Sequence, residues 1–113
     1  MPAYNRIDRI SEEVKRELSM IIRELKDPRL SKAVVSVVNA VVTKDLKFAK
    51  VYISVLGNEE VQKGAMDALK SASGFIRKEV GRRINLRNTP EFTFVLDNSI
   101  EYGAHINEVL KNL

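Results

Sequence analysis

Apolar side chains at Ile7, Ile10, Val14, Leu18, Ile21, Ile22 and Leu25 fall three or four residues apart, the stripe of one amphipathic helix, with Asn5 placed to cap it. Asp27-Pro28 ends that helix, because the residue before a proline is pushed out of helical geometry. From Ala33 to Thr43 the chain is dense in valine, whose β-branched side chain suits a pleated surface, so a strand is predicted. Lys44-Asp45-Leu46-Lys47 forms a polar turn, after which Ala49, Val51, Ile53 and Val55 alternate with Lys50, Tyr52 and Ser54 as a second strand with one buried face. Gly57-Asn58 breaks it. Val61, Ala65, Leu69 and Ala72 then return to four-residue spacing, and Ile76, Val80 and Ile84 carry a second helical limb beyond Ala72-Ser73-Gly74. Asn85 to Pro90 reads as a loop, Phe92, Phe94 and Leu96 as a third strand, and Asn98-Ser99 as the start of a last helix through Tyr102, Ile106, Val109 and Leu110.

This order predicts one α+β domain over 1–113. The short turn makes strands one and two antiparallel, whereas the long helical crossover to strand three suits a parallel pairing. One three-stranded mixed sheet follows, with helices on one face and an interrupted helix pair.

Charge changes the picture. The 113 residues are 44% hydrophobic and 30% charged, with a net charge of +4 and no cysteine, which excludes a disulfide framework and thiolate metal sites. No signal peptide or bilayer-spanning apolar run is read, so a cytoplasmic protein is expected. Residues 61–90 carry Lys63, Lys70, Arg77, Lys78, Arg82, Arg83 and Arg87 against only Asp67 and Glu79, while residues 91–113 carry Lys111 against Glu91, Asp97, Glu101 and Glu108. The field is polarised toward the interrupted helices.

On a wheel through the second limb, Ile76, Val80 and Ile84 share one side, Lys78 and Arg82 lie across from it, and Arg77 and Arg83 flank the apolar stripe. Gly64, Gly74 and Gly81 sit in this helical region although glycine costs roughly 0.5 to 1 kcal/mol relative to alanine in a helix. A break that turns a helix N-terminus outward beside positive side chains suits a phosphate. Nucleic acid is therefore the expected partner, gripped by Lys70, Arg77, Lys78, Arg82, Arg83 and Arg87, with Lys44, Lys47 and Lys50 as accessory contacts.

Other constellations read more plainly. Arg9, Arg16 and Arg23 recur every seven residues on the first helix, but interspersed Glu12, Glu13, Glu17 and Glu24 predict a self-paired exposed face. Glu101 and His105 share a helical face without a third ligand, and no phosphate-loop or Ser/His/Asp pattern appears, so neither an enzyme nor a metal or other cofactor is expected. Phe48, Phe75 and Tyr102 read as packing residues, while Tyr52 faces away from the buried valines of its strand.

Several segments together resemble the ribosome-binding factor A family, over nearly the whole chain: Asp27-Pro28-Arg29, Asp45-Leu46 followed by Ala49-Lys50-Val51-Tyr52-Ile53-Ser54-Val55, and Gly74-Phe75-Ile76-Arg77. Leu86-Arg87, Pro90-Glu91-Phe92-Thr93-Phe94, and Asp97-Asn98-Ser99 with Gly103 add to it. The resemblance implies a type II KH-like fold in which an Ala-x-Gly kink, here Ala72-Ser73-Gly74, replaces the loop that clamps single-stranded nucleic acid in ordinary KH domains. It further implies binding to free 30S subunits and 16S rRNA, support of late 30S assembly and of maturation of the rRNA precursor, and importance in the cold. A general KH-like single-stranded RNA-binding module is the alternative, and a protein adaptor working through the sheet edge or the acidic C-terminal segment is a third reading. A monomer is expected, with no membrane or small-molecule substrate. Members of that family often carry a polar, basic tail after the last helix, and with this sequence ending at Leu113 any contact of that tail is expected to be absent or altered.

Overall fold

A computed structural model describes residues 6–86 and 88–97. The elements run α1 (Arg6–Glu24), α2 (Pro28–Ser31), β1 (Val34–Val42), β2 (Phe48–Leu56), α3 (Glu59–Ser71), α4 (Ser73–Arg83) and β3 (Glu91–Leu96). The expected Asn5 cap, Arg87 and the helix expected from Asn98 lie outside the described residues.

The sheet order is β1-β2-β3, with β1 antiparallel and β3 parallel to β2. Both pairings agree with the expectation. The alternation in β2 buries Ala49, Val51, Ile53 and Val55 on one face, against which α3 packs, while α1 packs on β1. Val14, Leu18 and Ile21 of α1, Leu69 of α3, and Ile76 and Val80 of α4 complete the core. α3 contributes small Ala65 and Ala68 beside Leu69, which lets its backbone lie close to the sheet.

Short α2 had no counterpart in the hydrophobic pattern, since four residues carry no periodicity. Asp27 is its N-cap, its carboxylate accepting from Arg29 N at 2.9 Å, and Pro28 begins the helix. The hairpin turn is closed by Asp45, whose Oδ1 accepts from Thr43 Oγ1 at 2.7 Å and from Lys47 N at 3.0 Å while Leu46 takes a left-handed φ of 61°. These bonds hold the Asp45 carboxyl below its usual range, the Thr43 hydroxyl first among them. Glu91 N donates to Lys47 O at 2.9 Å, so the start of β3 is fastened to the hairpin turn.

Candidate nucleic-acid interface

α3 and α4 meet at Ala72, which is at once the C-cap of the first and the N-cap of the second. Its N–H donates to Ala68 O at 3.0 Å and its carbonyl accepts from Ile76 N at 2.8 Å, so the chain passes from one helix to the next across one residue. No side chain caps α4, unlike α2 and α3, where Asp27 and Asn58 do so. The helical interruption expected at Ala72-Ser73-Gly74 is thus present.

Beside it lies a shallow depression of about 390 Å³ lined by Gly74, Arg77, Lys78, Asn88 and Thr89. Arg77 shapes it: its Nη2 and Nε donate to Thr89 O at 3.1 and 3.3 Å, tying the loop before β3 to α4. From the other side Gly81 admits the same loop, since a methyl placed there would stand 2.5 Å from Thr89 Oγ1. Gly74 differs. A methyl there would meet nothing within 4 Å, and the backbone is not left-handed at this residue, so neither packing nor dihedral strain within the chain calls for glycine.

The cations divide by position on α4. Arg83, at the edge of the apolar stripe, is only 20% exposed and pairs with Glu24 of α1 at 2.6 Å and Glu79 at 3.3 Å. Arg82 is 69% exposed and makes a two-pronged contact with Glu79, 2.9 Å from Nη2 to Oε1 and 3.3 Å from Nε to Oε2. Such exposed pairs are worth little and exchange partners readily. The Arg82 hydrogen bond is the main cause holding the Glu79 carboxyl below its usual range. Lys70 and Lys78 are exposed, and neither has an ion-pair partner among the described residues.

The depression therefore gathers Gly74, Arg77 and Lys78, and it adds Asn88 and Thr89, for which the sequence predicts only a loop. The short polar run before buried Pro90 was their only signal. Lys70, Arg82 and Arg83 do not line it. Lys44 and Lys47 lie at the same end of the sheet as the Asn88-Thr89 loop, through the Glu91 to Lys47 bond. Lys50 alternates with the buried residues of β2 and so stands on the face opposite α3, together with Tyr52.

Two phenylalanines and the α1 arginines depart from the sequence expectation. Phe75 is 53% exposed in the first turn of α4, and Phe48 is 52% exposed on the sheet, so neither packs in the core: Phe48 alternates with buried Ala49 along β2, and Phe75 is turned about 100° from buried Ile76 around α4. An exposed ring beside the helix break is free to stack on a base. The arginines of α1 are not self-paired either. Arg9, Arg16 and Arg23 are exposed with no ion pair among the described residues, and Glu24 is taken by Arg83. An exposed i,i+4 pair gains only about 0.3 to 0.5 kcal/mol, which side-chain entropy offsets.

Among the described residues no group of three or more His, Cys, Asp or Glu is placed to hold a metal ion, and no helix is long and apolar enough to cross a membrane.

A mixed three-stranded sheet backed by helices, with cations and an open glycine gathered at a helix break, defines a small α+β domain. The family model described as Ribosome-binding factor A matches residues 6–110, and the chain belongs to that family. A Clostridium botulinum ribosome-binding factor A is 60% identical over 112 residues, which cover 98% of this chain and 92% of the relative. The crystal structure of ribosome-binding factor A from Thermus thermophilus superposes with a TM-score of 0.71 at 29% identity, covering 82% of this chain and 97% of that one. The Thermus thermophilus factor as fitted into a cryo-electron-microscopy map of a 30S complex superposes with a TM-score of 0.65 at 28% identity, covering 78% and 91%.

Proposed function

We propose that this protein binds the free 30S ribosomal subunit as a single KH-like domain spanning 1–113, holding 16S rRNA at the α3–α4 break without bond-making chemistry. Lys78 and Arg77 meet the phosphates first, with Lys70, Arg82 and Arg87 around them and Phe75 available to a base. Arg83 chiefly fastens α4 to α1 and adds its charge from behind. Lys44 and Lys47 extend the contact along the sheet end. Occupancy favours one rRNA conformation, supports late 30S assembly and 16S rRNA precursor maturation, and withholds unfinished subunits from translation. A cytoplasmic monomer with a larger role in the cold completes this reading.

The observation that carries it is the open depression at the break, where Gly74 leaves its space empty beside two cations and an exposed ring. A phosphate backbone needs this combination: close approach to the main chain with positive charge at hand. Membership of the family, and the likeness to a relative fitted on a 30S particle, support the choice of RNA.

Sedimentation with separated subunits and whole ribosomes tests the proposal. Comigration with free 30S particles is expected. Preference for short single-stranded RNA over the subunit would favour a general RNA-binding module instead.

A further inference from the structure

β1 is an edge of the sheet, and its two halves treat that edge differently. Thr43 N donates to Phe48 O, so in this half of the antiparallel ladder the odd-numbered residues face β2 and the N–H groups of Ala40 and Val42 turn outward. Both are closed by side chains: Ala40 N donates to Asn39 Oδ1 at 2.9 Å and Val42 N to Ser11 Oγ at 3.2 Å. Between Val37 and Asn39 the register shifts by one residue. Beyond the shift Val34 and Ser36 pair with Leu56 and Ser54, and the backbone groups of Val35 and Val37 take the outward phase. Among the described residues no side-chain acceptor closes these two.

Along this open half runs a cleft of about 300 Å³ between α1 and β1, lined by Ser19, Ile22, Arg23, Val35, Ser36 and Val37. Ser19 Oγ is committed to Lys15 O at 2.9 Å, so the charged group in the cleft that seeks a partner is the exposed Arg23 guanidinium. Its neighbour Glu24 points to Arg83.

We infer that the Val34–Val37 half of β1 accepts an extended segment of a partner protein as an added strand, with an acidic side chain of that segment reaching Arg23 across the cleft. An unprotected edge offers main-chain hydrogen bonds to any extended peptide. The single cation in the cleft selects an acidic one. The register shift sets which groups are offered, because one alternation running the length of β1 would turn Val34 and Ser36 outward in place of Val35 and Val37. The cleft lies at the opposite edge of the sheet from β3, and the inference does not rest on RNA binding at the helix break.

The test uses the ¹⁵N-labelled full chain and a synthetic peptide alternating valine and glutamate, with a valine-lysine peptide and a single-stranded oligoribonucleotide as comparisons. In the free protein the Val35 and Val37 amides should exchange with solvent quickly, and millimolar acidic peptide should shift and protect them at least tenfold. Arg23→Glu should abolish that protection toward the acidic peptide and transfer it to the lysine peptide. Val35→Pro removes one outward N–H without touching the β1–β2 ladder and should weaken binding; if it unfolds the chain, Arg23→Glu decides alone. Slow exchange of both amides in the free chain, equal protection by either peptide, a response only to the oligoribonucleotide, or self-association through this edge would each overturn the inference.

Discussion

Gly74→Ala separates what the fold needs from what a ligand needs. The added methyl enters open space, since nothing lies within 4 Å of it, and the residue holds an ordinary helical backbone rather than a left-handed one. Replacing such a glycine removes freedom from the unfolded chain and stabilises by roughly 0.4 to 1 kcal/mol. Gly74 lies in the first turn of α4, where helical constraint is least, so the lower end of about 0.5 kcal/mol is expected, a rise in Tm of about 2 to 4 °C for a domain of this size. The same methyl stands where a phosphate backbone would approach the Ser73-Gly74-Phe75 main chain beside Arg77 and Lys78. Inserting a methyl into a close contact costs typically 1 to 3 kcal/mol, so affinity for 30S particles should fall about tenfold, the equivalent of 1.4 kcal/mol.

Thermal unfolding followed by circular dichroism and a filter-binding titration on the same preparations give both quantities. Opposite signs are the expected result: a more stable protein that binds less well. Unchanged affinity would refute close approach at this residue, and a lower Tm would show that the break itself requires glycine.

Lys78→Gln should leave Tm almost unaltered and reduce the slope of log affinity against log salt by about 0.7 to 0.9, one phosphate contact, whereas Arg83→Gln should lower Tm and leave that slope nearly unchanged. Glu79→Gln should destabilise at neutral pH and progressively less in acid. The folded carboxyl titrates below its unfolded value, so its contribution is full above about pH 4.3 and is lost as pH falls through the folded value; the Tm difference between parent and variant should close over that descent. Gly81→Ala should cost about 1 to 3 kcal/mol in chemical denaturation, because Thr89 Oγ1 stands 2.5 Å from the new methyl, and Thr89→Ala in the same chain should recover most of it.

The long elements were legible because their apolar periods are strong: the β2 alternation and the four-residue spacing through Ile76 and Val80 both mark residues that are buried. Local chemistry also announced the break at Ala72-Ser73-Gly74. What escaped the sequence was set by distance along the chain or by phase. Arg83 finds Glu24 across 59 residues, and no pattern within α4 distinguishes it from Arg82. Asn88 and Thr89 acquire a role only because Arg77 and Gly81, eight to twelve residues earlier, close around Thr89. Phe48 and Phe75 neighbour core positions in the sequence, yet a residue adjacent to a buried one in a strand faces the other way, and in a helix it turns through about 100°.

The partition of cations on α4 follows from the same geometry. Side chains beside the apolar stripe lie against neighbouring elements, where a charge is tolerated only with acceptors supplied by the protein: Arg83 receives two carboxylates and Arg77 a backbone carbonyl. Side chains opposite the stripe are hydrated and need none, which leaves Lys78 open and Arg82 held by a single carboxylate at the surface. Glu79 is consequently a competitor for any phosphate reaching Arg82, so that cation is recruited only when the incoming anion outbids a carboxylate already in place. Among the described residues Lys78 has no such rival. If RNA binds at the break as proposed, Lys78 is the first charge it meets, with Arg77 beside it on the Thr89 carbonyl, and Arg83, which fastens α4 to α1, stands behind them.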